Sequence, residues 1–332
     1  MIRRLTLIAV VLGIVAAACS SPAADDVPAQ VSTTSTTVAV TTTVAPVTTT
    51  TKAVDDGFPV TIDAPNGPVV IEKRPTRIVS ISPTSTEVLF SIGAGPQVVA
   101  VDSMSNFPAE APTTDLSAFT PSVEAIASFD PDLVFLSFDP GDVVAGLEAI
   151  GIPVILHATA IDVADAYSQW EQVGTATGHI AEAIGLVAET TSSIESAYES
   201  LPDGTDSVSY YYELDPTFYS VTTSTFIGGL LSPSGMENIA DPADTDGFGY
   251  PQLTAEYIVD SDPTLILLAD TKCCGASRDT IAERPGWDTL SAVTADGVVE
   301  LDDDIASRWG PRIIELVETV VEAILSLELA DA

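Results

Sequence analysis

Pro121-Ser-Val-Glu-Ala-Ile-Ala-Ser-Phe-Asp-Pro-Asp-Leu-Val-Phe-Leu136 occurs a second time, as Pro251-Gln-Leu-Thr-Ala-Glu-Tyr-Ile-Val-Asp-Ser-Asp-Pro-Thr-Leu-Ile-Leu-Leu268. Glu124, Asp130-Pro131 and Leu133 return at one constant offset as Glu256, Asp262-Pro263 and Leu265. Each copy reads as a short helix, an Asp-Pro stop and then a buried apolar strand. A unit repeated once at domain-sized spacing predicts two similar α/β lobes, whereas a solenoid would need three or more shorter repeats. Two lobes enclose a cleft, and clefts between domains are where small ligands sit.

Working outward, Arg77 to Ser82 reads as a first buried strand, Thr84 to Ile92 as a helix ending at Gly93, and Val98 to Val101 as a second strand. After the repeated unit come a helix from Val143 to Ile150 and a strand from Val154 to Leu156, so β and α alternate as in a parallel sheet. A helix over Asp162–Thr177 stops near Gly178, and the next, His179 to Leu201, is about 33 Å long and can cross between lobes. The second lobe opens with a strand at Val208–Tyr212. It ends in a helix begun by Pro311, with Ile313, Ile314, Val317, Val320, Val321, Ile324 and Leu325 on one face. The expected fold is α/β: two lobes with mostly parallel central sheets flanked by helices, joined by a single long α-helix. The boundaries are 57–178, 179–201 and 202–332.

The N-terminus reads as an export signal. Met1-Ile2-Arg3-Arg4 is basic, and Leu5 to Ala18 is an apolar run too short for a stable span. Ala16-Ala17-Ala18 precede Cys19 as small residues precede a lipidated cysteine, which gives a lipoprotein signal over 1–18. From Ser32 to Thr51, 11 of 20 residues are Thr with no charge or aromatic ring, a composition that cannot offset the entropy of ordering. Residues 19–56 are therefore expected to be a tether holding an extracytoplasmic domain at the cell membrane.

A formal charge of -37 excludes nucleic acid as a partner. No Lys or Arg occurs between Ile78 and Thr271, and the second lobe carries only Lys272, Arg278, Arg284, Arg308 and Arg312. With Cys19 lipidated, Cys273-Cys274 remain as an adjacent pair in the loop after the Leu265–Ala269 strand. In an oxidising compartment they can close a vicinal disulfide; free thiols, or soft ligands to a metal-containing guest, are the alternatives.

Arg74-Pro-Thr-Arg-Ile-Val-Ser-Ile-Ser-Pro-Thr-Ser-Thr-Glu-Val-Leu-Phe-Ser-Ile-Gly-Ala-Gly95, Phe107-Pro108, the two Glu-containing units and Ser307-Arg-Trp-Gly-Pro-Arg312 resemble the class III substrate-binding proteins of ABC importers. The resemblance covers roughly residues 57–332 and implies the same two-lobed fold with one connecting helix. It implies a cargo of cobalamin, haem or ferric siderophore, and a permease dimer with ATPase subunits as partner. In the cobalamin branch the cleft-lining positions match Pro83, the neighbourhood of Phe119, Phe138, Tyr250 and Arg308. Ala118 and Ser137 stand where well-known members carry large rings, so Phe119, Phe138, Tyr250 and Trp309 are the candidates for stacking surface. Glu124 and Glu256 match the glutamates that engage permease arginines, although an acid in the first turn also complements the helix dipole. Few basic residues are available for an anionic siderophore, which puts a corrinoid first and siderophore or haem second.

Receptors for free zinc or manganese lean on several His, and only His157 and His179 are present, at a strand end and a helix start. A chelatase-like enzyme is the rival class, but Gly93-Ala-Gly95 follows a helix and lacks a third glycine, and no Gly-x-Ser-x-Gly elbow occurs. The expectation is a monomeric binding protein with no catalytic residues, no cofactor and no metal site of its own.

Overall fold

The computed structural model describes residues 57–331; the signal segment, Cys19 and the Thr-rich tether lie outside the described residues. No described helix is long and apolar enough to cross a membrane.

A hairpin comes first, β1 (Val60–Ala64) paired antiparallel with β2 (Gly67–Ile71). Its turn is Asn66-Gly67, a turn signal between two β-branched runs, where Gly67 adopts φ 105°. Strand β3 (Ile78–Ile81) then lies between β4 (Val98–Val101) and β5 (Leu133–Leu136), with β6 (Val154–Leu156) outside β5, all parallel. In the second sheet β7 (Ser209–Glu213) lies between β8 (Glu237–Asn238) and β9 (Leu265–Leu268), with β10 (Val298–Glu300) outside β9, again all parallel. The two sheets have the same strand order, so the duplication seen in one segment extends to topology.

The repeated unit has the same local structure in both lobes. Ser122 caps α2 (Val123–Ala127) and Thr254 caps α7 (Ala255–Ser261), each accepting from the third residue on. Asp130 and Asp262 adopt left-handed φ values of 52° and 42° just after the helices, and a proline follows each. The strands that follow alternate between two cores. Leu133 and Phe135 of β5, with Leu265 and Leu267 of β9, face a core shared by both lobes. Val134 and Leu136 pack outward under α2 and α3 (Val143–Ala149), and Ile266 and Leu268 pack into the matching outer core of the second lobe. With both faces covered, these strands are continuous apolar runs.

The shared core is filled by α4 (Val163–Thr177), α5 (Ile180–Glu199) and the C-terminal α12 (Ile313–Asp331), while α6 (Phe226–Leu231), α9 (Arg278–Ala282) and α10 (Ser291–Thr294) are short helices of the second lobe. The chain crosses between sheets through α5, which packs along α4 and α12. Gly178 ends α4 in the left-handed conformation, and a Cβ on Gly174 would stand 2.9 Å from the His179 carbonyl oxygen, so the helices turn tightly there. On α12 the buried face comprises Ile313, Leu316, Val317, Val320, Val321 and Ile324; Ile314 and Leu325 are only half-buried and flank it.

Candidate functional site

In a parallel sheet, ligands sit beyond the carboxyl ends of the strands, where adjacent connections leave in opposite directions. Here those positions are β3 flanked by β4 and β5, and β7 flanked by β8 and β9. At the first, Ser82 caps α1 (Pro83–Ser91), which puts Pro83 at the first helical position. A buried hydroxyl chain fixes the loop after β4: Thr86 Oγ1 lies within hydrogen-bond distance of the Ser80 and Ser105 hydroxyls, and Ser105 Oγ donates to Asp102 Oδ2 at 2.6 Å. Burial pushes the Asp102 carboxyl above its ordinary value, against the hydrogen bonds from Ser105 and Met104. The loop so held presents Met104 and Phe107 to solvent.

The carboxyl ends of the two sheets are joined by an ion cluster. Glu87 of α1 is 2 % exposed and accepts from Arg308 Nη1 at 2.8 Å and Arg312 Nη2 at 2.6 Å. Arg308 also donates to Asp304 of α11 (Asp303–Ala306) at 2.6 Å, to Asn106 Oδ1 at 3.1 Å and to the Met104 carbonyl at 3.0 Å. Asn106 Nδ2 donates to Asp304 Oδ2 at 3.0 Å, and Lys272 Nζ reaches Asp304 and Asp302. Burial would raise the Asp304 carboxyl, but the hydrogen bonds from Lys272 and Asn106 and the charge of Arg308 hold it below the ordinary value. Arg308 is thus buried and engaged by protein on all sides, and Arg312 lies 4.3 Å from the Phe107 ring centre.

The other candidates divide by exposure. Phe119 is 66 % and Phe138 41 % exposed, and neither ring stacks on another aromatic among the described residues. Tyr250 is half-buried and meets Phe248 edge-on at 6.0 Å, with Phe248 itself 78 % exposed. Trp309 is held back: its indole donates to Gln169 at 2.8 Å, and its carbonyl accepts from Trp170 of α4. His157 is buried after β6 against Gln172, and burial takes its ring down to about 4. Beyond the residues expected from the sequence, Met104, Phe107 and Phe248 are exposed apolar surface and Glu87 is the counter-ion of both C-terminal arginines. The Phe107-Pro108 motif and the rarity of cations were the available signals.

Glu124 and Glu256 are both exposed, at the second residue of α2 and α7. Its own backbone N–H and the Ser122 hydroxyl hold the Glu124 carboxyl below the ordinary range. Beside Glu256 is a hollow of about 490 Å³ lined in part by Phe218 and Trp287. The stacked rings of Phe218 and Trp287 carry the Arg284 guanidinium, which grips the wholly buried Glu213 with two 2.6 Å bonds. Every cation of the second lobe is therefore paired: Lys272, Arg278 with Asp296, Arg284, Arg308 and Arg312. Cys273 and Cys274 lie in a one-turn helix, α8 (Thr271–Cys274), where the sequence suggested a loop. They are free and exposed, with sulphurs 2.6 Å apart.

The periplasmic binding protein family profile matches residues 78–305. The chain is 32 % identical over 277 residues to the ABC transporter substrate-binding lipoprotein YvrC of Bacillus subtilis, covering 80 % of this chain and 86 % of that one. It is 30 % identical over 280 residues to a cobalamin-binding protein of Halobacterium salinarum, covering 80 % and 74 %. The periplasmic haem-binding protein RhuT of Roseiflexus superposes with a TM-score of 0.64 at 22 % identity, covering 76 % of this chain and 99 % of that one, a likeness of fold.

Proposed function

The chain belongs to the periplasmic binding protein family and is the substrate-binding protein of an ABC importer, and on that premise we propose that it captures a corrinoid between its lobes and delivers it to the permease. The observation that carries this ligand choice is the pairing of every second-lobe cation with a carboxylate. A haem with free propionates or an anionic siderophore needs unpaired cations; a corrinoid, large and weakly charged, needs apolar shelf. Phe119, Phe138, Tyr250 and Pro83 supply that shelf, while Arg308 and Trp309 build its floor from behind. The similarity to a protein named as cobalamin-binding supports the same choice.

Residues 57–178 and 202–332 are the two lobes, with 179–201 between them. Cys19 carries the lipid and residues 19–56 the tether, a reading supported by the likeness to a named lipoprotein. Glu124 and Glu256 dock on the two permease subunits, one carboxylate per lobe on a twofold-symmetric partner. The protein binds without turnover and works as a monomer. The test is the visible and mass spectrum of small molecules retained after the purified protein is offered cyanocobalamin, haem and ferric hydroxamate in competition. Retention of unmodified cobalamin is expected; preferential retention of haem or the hydroxamate, or chemical change of the bound compound, overturns the reading.

A further inference from the structure

Cys273 and Cys274 end the single turn of α8, directly beyond the carboxyl end of β9. Both thiols face solvent with their sulphurs 2.6 Å apart. The turn is pinned by one carboxylate: Asp303 accepts from the Lys272 N–H at 2.9 Å, the Cys273 N–H at 2.8 Å and the Thr271 hydroxyl at 2.8 Å. The neighbouring Asp302 and Asp304 bind the Lys272 ammonium, and Asp304 also binds Arg308, which holds Glu87 of the first lobe. The thiol pair thus directly follows Lys272, a member of the ion cluster that joins the lobes.

We infer that Cys273–Cys274 is a reversible thiol–disulfide exchange site whose oxidation unpins α8 from Asp303 and loosens the ion cluster between the lobes. The oxidant is a disulfide, of a small thiol or of a partner protein. One cysteine thiolate attacks a sulphur of that disulfide and releases the first thiolate; the second cysteine then attacks the mixed bond and releases the other. Two cysteine protons pass to the two leaving thiolates, and the cysteine pair is oxidised as the incoming disulfide is reduced. The hydrogen bond to Cys274, burial and the Asp303 charge push the Cys273 thiol up to about 12.

The geometry explains why closure moves the backbone. A relaxed disulfide wants Cα atoms roughly 4.4–6.8 Å apart. Adjacent residues across a trans peptide are held at about 3.8 Å. The sulphurs already lie 2.6 Å apart, but a relaxed bond needs more widely spaced Cα atoms, so closure shifts the backbone of residues 273–274 and with it the amides bound to Asp303. A bond so strained and exposed is readily reduced, which suits exchange better than a permanent staple. Because the bond closes only the small ring of two adjacent residues, it restrains little of the unfolded chain and adds little to global stability.

That a disulfide meets this site in the cell rests on the extracytoplasmic reading above; the exchange itself is measured on purified protein, so failure of one leaves the other standing. The full-length protein is equilibrated with mixtures of reduced and oxidised glutathione, alkylated and digested with trypsin, which isolates Cys273–Arg278 as one peptide. The expected product is a peptide lighter by two hydrogens and closed to alkylation, rising with the oxidised fraction and restored by reductant. In that state amide exchange at residues 271–274 should accelerate roughly tenfold or more, as bonds to a charged acceptor are lost. Exchange at 302–308 should accelerate as well. Cys273→Ser and Cys274→Ser should each abolish the closed product and the acceleration. Thiols that stay open to alkylation, a glutathione adduct that never closes, or closure with unchanged exchange would each overturn the inference.

Discussion

Glu87 illustrates what single residues do in this molecule. Buried and bound by two arginines, it is a first-lobe carboxylate on which the C-terminal segment closes. Glu87→Ala would leave both guanidinium groups without their buried counter-ion, so a loss of about 3–5 kcal/mol is expected from urea unfolding. Asp270 is a second such residue, wholly buried with neither carboxylate oxygen bonded among the described residues. Burial first, then the charge of Glu213, push it up to about 7. The folded form therefore binds its proton more tightly than the unfolded form. Its contribution is fully present below pH about 4 and is lost as pH rises through about 7, amounting to a few kcal/mol. Stability should fall from pH 5 to pH 8, and Asp270→Asn should flatten that slope, read from denaturation midpoints at the two values. Neither residue was legible in the sequence. An isolated Glu in an apolar helix and an Asp after a strand look like any others until the fold supplies their neighbours.

At the scale of elements much more was legible. Asp-Pro stops, Ser and Thr caps and four-residue apolar runs act locally, which is why α2, α7, β5 and β9 stood out as one repeated unit. The β1–β2 hairpin and the one-turn α8 did not, because five residues of alternation and four of helix carry little periodic signal. The α4–α5 turn offers a paired test. Gly174 abuts the His179 backbone, whereas nothing lies within 4 Å of a Cβ built on Gly185. Gly174→Val should cost about 1–3 kcal/mol by overpacking. Gly185→Ala should instead stabilise by roughly 0.5–1 kcal/mol through helix propensity. Thermal melting of the two variants checks both signs.

Across the whole molecule, α4, α5 and α12 fill one core reached by both sheets, and the ion cluster ties the carboxyl ends together. Large closure would have to break both, so ligand binding should leave the radius of gyration nearly unchanged in solution scattering. The lobes and their connection were legible because duplication and hydrophobic pattern are long-range signals. The environments of the candidate ligand residues were less so, since Arg308 and Trp309 turn inward to protein while Phe119, Phe138 and Phe248 are exposed. For docking, Glu124→Arg with Glu256→Arg should abolish uptake in a reconstituted importer while leaving ligand affinity intact. The most direct measurement is calorimetric titration of the purified protein with cyanocobalamin, beside the Phe138→Ala, Tyr250→Ala double variant. One-to-one binding by the wild type, weakened at least tenfold in the variant, is the expected result. No binding of cobalamin, with tight binding of a sugar or an amino acid instead, would contradict the account.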